Sequence, residues 1–187
     1  MEKREQWQAR EWEEFYKRLV FLDETGVSTN MARLYGWGPK SERVVCYEPR
    51  GHWHTNTFVA ALRHDGIKAP WLLEGAMNGD AFLSYVRRVL GPTLRKGDIV
   101  VLDNLSSHKV EGVREAVEAR GATILYLPPY SPDFNPIENF FSKLKSLLRK
   151  AAPRSLKRLI SSIRDILSSV SPAECLNYFI SSGYVHA

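Results

Sequence analysis

The chain has 187 residues, 44% hydrophobic and 25% charged, with a formal net charge of +5, a profile that fits one globular domain with its own core and excludes a disordered or fibrous chain. Its longest apolar runs, such as Leu19-Val20-Phe21-Leu22 and Ile99-Val100-Val101-Leu102, are strand-sized, so neither a membrane-spanning helix nor a secretory leader is expected. Cys46 and Cys175 are too few for a disulfide framework or a zinc site and read as reduced thiols of a cytoplasmic protein, while the positive charge points to an anionic partner.

Residues 3–18 read as a charged helix whose apolar stripe is Trp7, Trp12, Phe15, Tyr16 and Leu19. A strand follows at 19–23, and the glycines and prolines from Gly26 to Gly51 mark a loop-rich stretch with a short strand at 43–47. Strands are expected at 55–62 and 70–73, joined through His64-Asp65-Gly66. Helical spacing of Phe82, Val86, Val89 and Leu90 predicts a helix at 79–90. Ile99–Leu102 is wholly apolar, as in a strand buried on both faces. A helix over 109–120, capped by Ser106 or Ser107, and a strand over 123–127 come next. A proline-studded loop then leads to a helix starting near Pro136, followed by helices at 155–169 and 172–182, the last announced by Ser171-Pro172. Strands first, then alternating helix and strand, then helices alone predict a mixed α/β sheet with helices packed on its faces.

Two of those strands run straight into an acid, at Asp23 and at Asp103. In open α/β sheets the working crevice lies at the carboxyl ends of strands, so neighbouring strands would aim both aspartates into one cleft. Two carboxylates about 4 Å apart repel by roughly 4 kcal/mol at an effective dielectric of about 20, which a proton or a cation must relieve. Hard oxygen donors select magnesium or manganese, and two such ions suit an in-line phosphoryl displacement. Either aspartate alone is better explained by an ordinary turn, and only the pair together with a third acid tips the balance to a site.

The third candidate is Glu138. In Asn135-Pro136-Ile137-Glu138 the asparagine suits a helix N-cap, so the glutamate also fits a capping box. Behind it, Ile137, Phe140, Phe141, Leu144, Leu147 and Leu148 form an apolar face, and Glu138 heads a separate stripe with Ser142, Lys145 and Arg149. From Asn139 to Arg164 there are eight basic residues and no acid, an imbalance suited to a phosphate backbone or to a solvated face.

These residues resemble the DDE transposases, specifically bacterial insertion-sequence members of the mariner superfamily. The resemblance rests on Phe21-Leu22-Asp23-Glu24-Thr25, Tyr35-Gly36-Trp37-Gly38-Pro39-Lys40, Val101-Leu102-Asp103-Asn104 with His108, and the run from Leu127 to Glu138. Thirty-four residues separate Asp103 from Glu138, a spacing typical of those relatives. It implies a ribonuclease-H-like mixed five-stranded sheet flanked by helices, with extra C-terminal helices. It also implies Asp23, Asp103 and Glu138 as catalytic residues holding two divalent ions, Mg2+ or Mn2+, for cleavage at transposon ends and transfer of the 3′-hydroxyl into target DNA.

On this reading residues 1–18 are an N-terminal helix or linker remnant and 19–187 the catalytic domain. The expected partners are DNA and a second copy of the chain, at the bacterial nucleoid and with no membrane. Asp23 stands near the start, so the helix-turn-helix modules usual in such relatives are expected from a separate upstream reading frame, unless the sequence is a trimmed piece or a degraded remnant, alternatives that the sequence leaves open. Candidate DNA contacts are Trp37, Lys40, His108, Lys109, Lys143, Lys145 and Arg149. The competing readings are another nuclease of the same fold and a non-catalytic DNA-binding derivative.

Overall fold

A computed structural model describes residues 2–33, 35–45, 53 and 55–186. Its five strands are β1 (Leu19–Ser28), β2 (Thr55–Arg63), β3 (Gly66–Glu74), β4 (Ile99–Leu102) and β5 (Thr123–Tyr126). They form one sheet in the order β3-β2-β1-β4-β5. The hairpins β1–β2 and β2–β3 are antiparallel, whereas β4 lies parallel to both β1 and β5. This is the mixed, ribonuclease-H-like sheet expected from the sequence.

Alternation along β1 and β4 sorts residues between two helical layers. Leu19, Phe21 and Val101 face a core shared with α4 (Ile137–Ala151), α5 (Leu156–Ser169) and α6 (Pro172–Ser181). Val20, Leu22, Val100 and Leu102 face the opposite core, built on α2 (Gly79–Tyr85) and α3 (Val113–Glu118). The predicted apolar face of α4 is the one that packs: Ile137, Phe140, Phe141, Leu144 and Leu148 are buried and Leu147 partly so. Ser155 and Ser171 cap α5 and α6 by accepting from the Arg158 and Glu174 amides.

Several expected boundaries move, each for a local reason. The N-terminal helix α1 covers only Glu2–Gln8 and gives way to 3-10 turns. The Trp12 indole donates to the Trp7 carbonyl at 2.9 Å, occupying an acceptor that a continuing helix would use. Trp7 and Trp12 are nonetheless buried in the α4-side core, where the Trp7 indole donates to the Tyr184 hydroxyl at 3.0 Å. β1 runs past Asp23 to Ser28, because the antiparallel partner β2 pairs with it as far as Thr55. β3 starts at Gly66 and carries Pro70 on the sheet edge beside a bulge, where a missing N–H is tolerated.

The 79–90 segment is α-helical only to Tyr85 and finishes as a π turn over Val86–Leu90. The helix expected to start from a cap at 106 or 107 does not begin there. That stretch is a 3-10 turn, and α3 starts after Gly112, whose φ of 88° is left-handed backbone suited to glycine. Residues 43–45 are not in a strand, and Cys46 lies outside the described residues; Cys175 is a buried free thiol. No helix among the described residues is long and apolar enough to cross a membrane.

Candidate active site

The register of β1 on β4 pairs Phe21 with Val101, so Asp23 on β1 and Asp103, the residue after β4, lie at the same end of neighbouring parallel strands. By alternation Asp23 follows Phe21 toward the α4 side. Glu138 is the second residue of α4 and is exposed. All three carboxylates line one cleft of about 450 Å³, with Asn104, Leu105, Asn135 and the 127–132 segment as its remaining wall. None of the described residues lining that cleft is a lysine or arginine.

Asp23 is the buried member. Its Oδ1 accepts from the Glu24 amide at 2.7 Å and its Oδ2 from the Asn135 side chain at 2.8 Å. Burial pushes its carboxyl up to about 7, and the negative charges of Glu24, Asp103 and Glu138 add to the shift. Asp103 moves the other way. Half-burial works to raise it, but His108, the Leu105 amide and Lys109 hold it below the usual carboxylate range.

His108 is wholly buried and lies against the Phe82 ring, with centroids 4.3 Å apart. Its Nε2 is 2.9 Å from a Glu24 carboxylate oxygen, and its Nδ1 is 2.7 Å from Oδ1 of Asp103. The second contact is an ion pair without good hydrogen-bond alignment, since Nδ1 has no aligned partner. Burial alone would lower this imidazole, yet the two carboxylates win and raise it to about 9. A histidine raised in this way stabilises the fold fully below about pH 6.5, and the benefit is lost as pH rises through about 9. His108→Phe should therefore destabilise the metal-free protein by on the order of 3 kcal/mol at pH 6 and much less at pH 9.5. Urea unfolding at the two pH values reads this out, and an equal loss at both would refute it.

The structure places His108 inside, between Glu24, Asp103 and the Phe82 ring, and not on the surface where a phosphate contact was expected. Lys143 is also committed elsewhere, with its ammonium 2.6 and 2.7 Å from the two Glu174 oxygens on α6. Arg154, from the same basic run, donates to the Thr29 and Met31 carbonyls and so ties the α4–α5 connection to the loop after β1. Lys145 and Arg149 are half-buried on α4, Lys109 and Lys40 are exposed, and Trp37 is fully exposed. The N-cap expected of Asn135 is not formed, because its side chain turns to Asp23 instead, and the Glu138 carboxylate makes no hydrogen bond with the described residues.

Sequence reasoning missed Glu24 and Asn135. For Glu24 the signal lay in the strand period: a residue next to Asp23 must enter the opposite layer, where only a polar partner can receive it.

Three hard-oxygen carboxylates in a cleft whose described lining has no lysine or arginine, one of them driven up to about 7 by burial and the charge of the others, suit a divalent cation. Among the described residues no three His, Cys, Asp or Glu side chains are close enough in this arrangement to ligate one ion, so joining them needs side-chain movement.

A family model described as DDE superfamily endonuclease matches residues 18–160. No curated protein matches the chain. Among solved structures the chain resembles a pre-cleavage Mos1 transpososome (15% identity, TM-score 0.79), covering 98% of this chain and 58% of that one. A Mos1 mariner paired-end complex with Mn matches at 18% identity and TM-score 0.77, with 98% and 58% covered. The catalytic domain of Mos1 mariner transposase matches at 17% identity and TM-score 0.72, with 98% and 87% covered. The chain thus spans little more than half the length of the first two.

Proposed function

The chain belongs to the DDE superfamily endonucleases, and from that membership we propose that it is the catalytic domain of a cut-and-paste DNA transposase. Its reaction is metal-dependent cleavage at transposon ends followed by attack of the freed 3′-hydroxyl on target DNA. The observation that carries this reading is the convergence of Asp23, Asp103 and Glu138, from β1, the end of β4 and α4, on one cleft without a lysine or arginine in its described lining.

On this reading Asp23 and Asp103 would share one cation and Glu138 would complete a second site, once side-chain movement brings them together. Two Mg2+ or Mn2+ ions held there would supply the positive charge that activates the attacking oxygen and steadies the leaving one. The protein's own part is positional. Asn135 orients Asp23, while the Glu24–His108 pair orients Asp103 from the layer behind. No side-chain nucleophile is required, because water or a DNA hydroxyl attacks.

Residues 19–187 form the catalytic unit on this reading, and the helix ahead of them packs on it. The working form is a homodimer that handles two ends together, with terminal-repeat recognition by a helix-turn-helix product of an upstream reading frame, on nucleoid DNA in the cytoplasm. Trp37, Lys40, Lys109, Lys145 and Arg149 are the DNA contacts proposed from the sequence that remain accessible or partly so.

The test is a Mg2+ and Mn2+ titration with nicked and pre-cut DNA ends, using wild type, Asp103→Ala and Glu138→Ala, with and without the upstream product. Cleavage and strand transfer are expected from wild type only, with a loss of at least about a thousandfold in each variant. Cutting without joining would favour a simple nuclease of this fold. Binding without cutting by all three proteins would leave a non-catalytic DNA-binding role.

A further inference from the structure

The loop that walls the acidic cleft presents an aromatic ring whose conformation has no folding explanation. Tyr130 has a φ of 55°, left-handed backbone that a bulky residue rarely adopts. Its side chain is 99% exposed, so no packing compensates the strain. Such a residue persists only where its surroundings over-determine the backbone.

Those surroundings are explicit. The Arg4 guanidinium reaches the Tyr130 carbonyl at 3.4 Å, the Ser131 hydroxyl at 2.8 Å and both Asp133 oxygens at 2.9 and 2.7 Å. It also packs over the Phe134 ring, 4.4 Å from its centroid. Ser131 closes the turn by donating to the Pro129 carbonyl at 3.1 Å, and Pro129 and Pro132 stiffen both flanks. Every tether grips the backbone or a neighbour, and none holds the phenol ring.

The ring stands between two surfaces. It lines the cleft of Asp23, Asp103 and Glu138, and it also borders a depression formed with Glu2, Lys3, Arg4, Pro128 and Pro129. An exposed planar ring on a tethered backbone, with Lys3 in the lining on one side and the acidic cleft on the other, matches a nucleobase whose phosphates run past Lys3 toward the acids.

We propose that Tyr130 is a stacking platform for an unpaired DNA base beside the reacting phosphodiester, at the mouth of the acidic cleft. The proposal rests on the DNA-processing reading above and makes Tyr130 a substrate-positioning residue. Stacking is tolerant of sequence, so the residue sets where the strand lies and not which base is read.

The probe is an oligonucleotide duplex carrying a short single-stranded overhang with 2-aminopurine, compared with the blunt duplex. Wild type should quench the 2-aminopurine, and Tyr130→Phe and Tyr130→Trp should keep the quench. Tyr130→Ala should lose it and bind the overhang roughly tenfold more weakly, with blunt-duplex affinity unchanged. Tyr130→Gly should melt at or above the wild-type temperature, because it relieves the left-handed φ while losing the quench.

Equal quenching by wild type and Tyr130→Ala overturns the proposal, as does a Tyr130→Gly variant that melts several degrees lower. Quenching that depends on Tyr130 in a protein unable to cut in Mn2+ would sink the catalytic reading and leave the stacking site. Cleavage by wild type with no Tyr130 dependence would sink only the stacking site. Absence of any DNA binding removes both.

Discussion

Asp23→Asn is expected to abolish metal-dependent cleavage and, in the same protein, to raise its stability at pH 8 in EDTA by on the order of 3 kcal/mol. The sign follows from the carboxyl being pushed up to about 7, chiefly by burial. In the unfolded chain this group ionises at the ordinary carboxylate pKa, so between about pH 4 and 7 the native state binds more protons than the unfolded one. Stability from this group is therefore complete at low pH and lost as pH rises through about 7. Asparagine removes the charge that burial penalises and keeps the shape.

The surroundings can receive the amide. Its oxygen can still accept from Glu24, and the Asn135 Oδ1 atom, buried and without a partner in the wild type, becomes available to its NH2 if the Asn135 amide turns over. Paired urea titrations at pH 5 and pH 8, in EDTA and in Mn2+, measure the effect. In wild type the cation should restore at pH 8 what ionisation removes, and the variant should ignore it. A variant less stable than wild type at pH 8 in EDTA would refute the account.

Arg63→Leu should cost about 3–5 kcal/mol and leave the acid cleft unaltered. Arg63, at the end of β2, is 2% exposed and forms an ion pair with the buried Asp98, which also accepts from the Arg95 amide at 2.7 Å. Removing the guanidinium strands the carboxylate of Asp98 inside the protein. Adding Asp98→Asn to Arg63→Leu should recover more than half of the loss, since a neutral amide is far cheaper to bury than a lone charge. The pair sits where β1 and β4 begin, at the end of the sheet away from Asp23 and Asp103. Mn2+ affinity of the folded variant should thus match wild type. A loss below 1 kcal/mol, or one that Asp98→Asn leaves unrepaired, would show that the pair is not what holds that end together.

What could be read in advance followed from local rules. Apolar runs ending in Asp23 and Asp103 located two strands and two acids, and the 3.6-residue stripe from Ile137 to Leu148 gave the face of α4 that packs. Expectation failed where a distant partner decides. Asn135 looks like a cap until Asp23, 112 residues away, takes its side chain. His108 reads as a DNA contact until Glu24, 84 residues away, and Asp103 enclose it. The true length of β1 depends on β2, which begins only at Thr55 and so leaves no trace next to Asp23. Trp12, beyond the end of α1, reaches back to the Trp7 carbonyl through an indole contact that no propensity scale contains.

Asp23 and Glu24 are adjacent in the chain yet serve separate compartments, one the cleft and the other the imidazole behind it. Their order is therefore information that composition cannot carry. Exchanging the two residues would preserve every count of charge and size, yet place a longer acid in the cleft and leave a shorter one reaching for His108. Losing or gaining one residue between Leu19 and Leu22 would do worse, turning the whole strand inside out and sending its greasy members to the wrong sides together.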